Sequence, residues 1–208
     1  MYKLLLIPVA ILLNLTLLYI IVQFAPAGGG HLSFPSSLDD IRSLSSTLIS
    51  YNSAHPGYVL LLFSTAYLFK QTYAVPGSVF LNVLAGAIFG SVEGFILCSL
   101  LTACGASLCY LLARAVGEDV MLQYFPERVR IFGEKLEENR AELPFYLLFL
   151  RLFPMSPNWA LNMASGVLSV PLNLFFFSVL FGLMPYNYLC VTSGVILSEI
   201  KTVRIKIC

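Results

Sequence analysis

Long apolar runs dominate this chain, at 4–25, 58–90, 92–116, 143–153 and 167–198. A helix needs ~20 apolar residues to cross a hydrocarbon core, and inside it every backbone N–H and C=O must be satisfied within the protein. Helices meet that demand one by one. These runs therefore predict an all-α integral membrane protein. The charged fraction agrees: 11% of 208 residues, against about 25% in soluble domains.

The first run, "MYKLLLIPVAILLNLTLLYIIVQFAPAGGG", exceeds the ~7–15-residue core of a secretory signal, so it reads as an uncleaved anchor. The Asn14-Leu15-Thr16 sequon lies inside it and reads as incidental. A Gly/Ser/Pro loop follows. Over 37–53, Leu38, Ile41, Leu44, Leu48 and Ile49 share one helical face, and Ser36 with Asp39 makes a capping-box pattern. That segment predicts an amphipathic helix on the membrane surface. Residues 1–57 thus form an anchor with an interfacial helix.

Residues 58–90 are apolar throughout but are broken by "YAVPGS" at 73–78. Pro76 removes a helix hydrogen bond and Gly77 loosens the backbone. The part before the break is ~24 Å long at 1.5 Å per residue, short of a ~30 Å core. A re-entrant hairpin fits better than two spans. Residues 92–116 make one full span with small faces at Gly94, Gly105, Ala106 and Ser107. Glu93 reads as an interfacial residue at that helix start. The connector 117–143 carries Arg128, Arg130, Lys135 and Arg140, the largest basic group of any loop, which places it in the cytosol. Residues 144–170 repeat the hairpin design around Pro154 and Pro157, 172–198 read as one more span, and 199–208 are a short basic tail.

The two broken segments match feature by feature. "FLNVLAGAIFG" at 80–90 parallels "ALNMASGVLSV" at 160–170, so Asn82 pairs with Asn162 and Gly86 with Gly166. Lys70 stands six residues before Pro76, and Arg151 six before Pro157. One span lies between them, so the second hairpin enters from the opposite face. The expectation is an inverted repeat of two re-entrant helical hairpins with a polar cavity between their tips, the pattern of a transporter-like site.

Within that cavity, Ser156 reads as an N-cap with Pro157 at N1, and Ser78 as the matching cap. Half-helix N-termini favour phosphate or carboxylate, and Arg151 and Lys70 add full charges. The candidate phosphate-binding set is Arg151, Lys70, Ser78, Ser156, Asn82 and Asn162. Pro76, Gly77, Pro154, Pro157, Gly86 and Gly166 shape the hairpins. Competing readings stay open: Arg151 as a structural cation on carbonyls freed at Pro154, Lys70 snorkelling toward headgroups, and the two asparagines as helix glue.

Other chemistries find no residues. The only two histidines, His31 and His55, sit in the first loop, and the five cysteines have no zinc spacing. No P-loop, dinucleotide fingerprint or hydrolase triad is present. The expectation is a protein that is not an enzyme, with no cofactor and no metal. A net charge of +1 gives no field for nucleic acid.

"YAVPGSVFLNVLAGAIFG", "CGASLCYLLARAVG" and "FLRLFPMSPNWALNMASG" together resemble the VTT-domain (DedA-superfamily) membrane proteins, in particular the animal transmembrane protein 41 family and its A-type branch. The resemblance covers about 58–198. It implies two facing re-entrant hairpins, a location in the endoplasmic reticulum or secretory pathway, and ATP-independent scrambling of phospholipids, its membrane partners. The family pattern supports Pro76, Gly77, Gly86, Gly105, Tyr110, Gly117, Arg151, Pro154, Pro157 and Asn158, and leaves Lys70 variable. Ser78 stands after Pro-Gly where bacterial members often carry carboxylates nearby, which favours passive movement over proton coupling. The family continues past the position of Ile200 with a further hydrophobic helix, so this chain reads as a C-terminally short member. Two alternatives remain: an ion-coupled transporter of an anionic lipid or small molecule, and a non-transporting scaffold in trafficking that uses the charged connector.

Overall fold

The computed structural model describes residues 2–24, 48–124, 127, 131, 134, 138, 139, 142–152 and 157–207. Every element among them is helical: α1 (Tyr2–Gln23), α2 (Pro56–Thr72), α3 (Ser78–Tyr124), α4 (Leu143–Leu152), α5 (Asn158–Val167), α6 (Leu172–Gly182) and α7 (Met184–Ile207), with a further helical segment over 48–54. Residues 37–47 of the expected surface helix, the connector's Arg128, Arg130, Lys135 and Arg140, and Pro154 and Ser156 lie outside the described residues.

Among the described residues, Ser78–Gly117 alone is long and apolar enough to cross a membrane by itself. Ile7–Gln23 and Leu143–Leu152 are shorter apolar helices. The stretch 172–198, expected as one span, is two helices that are long and apolar enough to span only when Leu172–Gly182 and Met184–Glu199 are taken together. The break falls at Leu183, and Pro185 explains it. A proline there cannot donate to the carbonyl four residues back, and its ring collides with it.

The chain divides into two compact units. One holds 1–14, 69–75 and 102–183; the other holds 15–68, 76–101 and 184–208. In the second unit α2 and the start of α3 run antiparallel. Tyr67 bonds Asn82, Phe63 meets Phe89 at 5.4 Å between ring centroids, and Asn52 reaches the carbonyl of Ile88. The chain thus returns toward the end from which it came, as a re-entrant hairpin requires. Gly90, at φ 82° and ψ −174°, then turns it into the long part of α3. Gly86 and Gly194 let α3 and α7 touch backbone to backbone, because a Cβ on either would collide with the carbonyl of Val191 or Val83.

The first unit is built on α4, α5, α6 and the distal part of α3, with α4 packed on α6. Its core gathers Ala106, Tyr110, Leu147, Phe175 and Val179. Gly166 brings α5 against the backbone of Tyr110, and the Tyr110 hydroxyl donates to the carbonyl of Val170. Asn14 donates to Tyr73 Oη at 3.1 Å, so the sequon asparagine serves as an internal hydrogen-bonding group.

Both α2 and α5 end without glycine. Ala74 (φ 54°) and Ser169 (φ 52°) take the left-handed conformation. The next N–H then reaches back five residues, Val75 to Lys70 O at 2.9 Å and Val170 to Ser165 O at 3.0 Å. Each is the long bond of a Schellman ending, which satisfies a terminal carbonyl.

Candidate functional site

Helix α4, "LPFYLLFLRL", turns its residues against the soluble-protein habit. Phe145, Tyr146, Phe149 and Leu152 are exposed, while Leu147 and Arg151, one turn apart, are buried. In lipid the apolar side chains face outward and the cation faces protein, because a charge in hydrocarbon costs ~2.5–3.5 kcal/mol on insertion scales. Helix α5 buries Asn162, Ser165 and Gly166 on one face, and α6 buries Phe175, Ser178, Val179 and Gly182 on another. Each helix thus brings one polar side chain to the same place.

Arg151, 4% exposed, is the centre of that place. Its Nε donates to Ser178 Oγ at 3.1 Å and its Nη1 to Asn162 Oδ1 at 3.2 Å. Ser178 passes its own hydrogen to the carbonyl of Phe175 at 2.7 Å, which leaves a lone pair for the guanidinium. The Phe175 ring lies 4.8 Å from Cζ, within cation–π range. Gly182 makes the room: a Cβ there would stand 2.8 Å from the Cβ of Arg151. All these partners are neutral. Nη2 is buried and finds no acceptor among the described residues. A guanidinium has five donors in a rigid fork shaped for carboxylate or phosphate, and this one holds donors in reserve.

The other expected site residues fall in two places. Asn162 joins Arg151. Lys70 belongs to the same unit, is 4% exposed, and donates to Gln71 Oε1 at 3.3 Å; Gln71 itself lies against Gly105. Asn82 belongs to the other unit and is committed there. It accepts from Tyr67 Oη at 2.7 Å and donates to Asn187 Oδ1 at 2.9 Å. Its amide is engaged on both sides, the arrangement of a residue that joins helices. The capping assignments shift by one residue. Pro157, at φ −70° and ψ 105°, is the N-cap of α5 and Asn158 its first residue, with no side-chain cap; the extended ψ keeps Pro157 outside the helix. Ser78 is the first helical residue of α3, with Gly77 (φ 106°) just before it. Pro76 precedes that glycine in the break between α2 and α3.

Sequence reading missed Ser178, Phe175, Tyr67 and Asn187. For Ser178 the signal was present: it is the polar interruption of "LFFFSVLFG". Asn187 likewise interrupts "MPYNYLC".

Comparison with known proteins gives this geometry a lineage. The VTT domain family matches residues 75–196. The chain is 37% identical to an uncharacterized membrane protein of Arabidopsis thaliana, over 84% of this chain and 61% of that one. It is 33% identical to Transmembrane protein 41B of Danio rerio, over 82% of this chain and 61% of that one. It is 35% identical to the Transmembrane protein 41 homolog of Caenorhabditis elegans, over 82% and 70%. The chain therefore spans about three-fifths of the length of the first two relatives. No solved structure matches it. The matched domain and these relatives together show that the chain belongs to the transmembrane protein 41 group of VTT-domain membrane proteins.

Proposed function

We propose that this protein moves phospholipids between membrane leaflets without ATP, in the endoplasmic reticulum or secretory pathway, and that Arg151 holds the lipid phosphate in transit. The observation that carries the reading is the buried guanidinium of Arg151, held by neutral partners with no acceptor for Nη2 among the described residues. An uncompensated cation in an apolar unit is costly, and a passing phosphate would relieve that cost for as long as it stays. The acyl tails remain in the bilayer, so the protein need stabilise only the headgroup. Among the described residues the buried polar groups are cations, amides and hydroxyls, which suits passive movement. No covalent step is involved.

The test is lipid exchange in liposomes holding the purified chain, read as the initial flip rate of a fluorescent phospholipid. Arg151→Gln should slow exchange roughly tenfold or more, since a hydrogen bond to a charged group is worth ~1.5–3 kcal/mol. Normal exchange by a stable Arg151→Gln variant would remove the phosphate role.

A further inference from the structure

In the second unit a cleft of about 480 Å³ opens between the helical segment 48–54, the start of α2 and the proximal part of α3. Its size falls within the ~300–1,000 Å³ of small-molecule sites. One wall is a stripe of α3: Glu93, Ile96, Leu97 and Leu100, spaced i, i+3, i+4 and i+7 on one helical face. At 1.5 Å per residue the stripe runs ~10 Å from its charged end to its apolar end. Leu60 of α2 lines the other wall. Glu93 follows the Gly90 turn by three residues, and Asn52 is the other polar residue of the lining. Glu93 is exposed, and it is the one charged residue of the lining.

We infer that this cleft is a binding site for a phospholipid with an ammonium headgroup, ethanolamine or choline, with one acyl chain along the Ile96–Leu100 wall and the ammonium on Glu93. Charge decides the headgroup. A carboxylate with no cation beside it in the lining attracts an ammonium and repels a headgroup of net negative charge. Polarity decides the orientation: Glu93 is the charged end of the α3 stripe, and Ile96, Leu97 and Leu100 make up its apolar remainder. The site is confined to the second unit and does not depend on the role proposed for Arg151.

Gly57 supplies a clean perturbation. It lines the cleft, and a Cβ on it meets no atom within 4 Å. A larger side chain there fills the cleft without a clash at its root.

The experiment uses the full chain in bilayers, with Trp159→Phe removing the only native tryptophan and Leu100→Trp reporting from the apolar end. Brominated phosphatidylethanolamine and brominated phosphatidylglycerol compete as quenchers. The ethanolamine lipid should be preferred roughly threefold, the range of a partly exposed ion pair. Glu93→Gln should abolish the preference while total quenching persists. Gly57→Leu should reduce quenching by both lipids while the helix content stays constant. Equal quenching by the two lipids in the parent, or an unchanged preference in Glu93→Gln, would mean that only ordinary boundary lipid contacts this face, and would overturn the assignment. Unchanged quenching in Gly57→Leu would overturn the acyl-chain placement.

Discussion

Arg151 gives its Nε hydrogen to the Oγ of Ser178 at 3.1 Å, although 27 residues separate them. The bond sets the guanidinium plane between α4 and α6. It also leaves Nη2 as the group without an acceptor among the described residues. Ser178 therefore orients the cation, and Arg151 is the group that would meet a ligand.

The two residues should separate in experiment. Ser178→Ala leaves Nε without its acceptor and should lower stability by about 1–3 kcal/mol, read as a fall in Tm in detergent. The flip rate of the folded fraction should stay within about threefold of the parent, a change of under 1 kcal/mol. A tenfold loss of rate at unchanged Tm would make Ser178 a ligand contact.

Charge and fork geometry at Arg151 should also separate. Arg151→Lys keeps the charge but loses the planar fork, so its flip rate should lie between those of the parent and Arg151→Gln. Rates are compared at matched Tm, because either change disturbs the bonds to Ser178 and Asn162. A lysine variant as slow as the glutamine variant would show that the fork, and not the charge, carries the activity.

Asn82 should behave as a structural residue. Asn82→Leu removes the partner of both Tyr67 and Asn187, whereas Tyr67→Phe removes one bond. Buried groups that lose a partner cost about 1–3 kcal/mol each, so Asn82→Leu should lower Tm more than Tyr67→Phe. The reverse order would show that the Asn82–Asn187 bond contributes little.

Two glycines isolate backbone conformation from packing. Neither Gly57 nor Gly90 has an atom within 4 Å of an added Cβ, but only Gly90 has a positive φ, 82°. Gly90→Ala should cost about 1–3 kcal/mol through backbone strain alone. Gly57→Ala should stay within about 0.5 kcal/mol of neutral. Equal Tm values for the two variants would mean that the turn at Gly90 adapts freely.

Topology is open to a direct check. The basic connector should be cytosolic and residues 28–57 lumenal. Protease added to sealed microsomes should cut near Arg128–Arg140 and spare 28–57. Cutting in 28–57 alone would reverse the orientation, and cutting in both would remove the inverted arrangement.

The apolar runs and the residues that interrupt them were enough to determine a helical membrane protein, a helix break at Pro76 and another before Asn158, and Arg151 as the cation to examine. These features are local: hydrophobic length, a missing N–H and a charge among leucines can be read one segment at a time. The tertiary structure decided the partners. Whether Asn82 and Asn162 serve one role or two depends on which helix lies opposite, and Asn187 and Arg151 stand opposite them. The same holds for Ser178, whose hydroxyl matters only because Gly182, one turn on, lets α6 approach the stem of Arg151. Helix ends at Ala74 and Ser169 carried no glycine signal, because there the surrounding fold, and not the residue's own preference, holds the left-handed conformation.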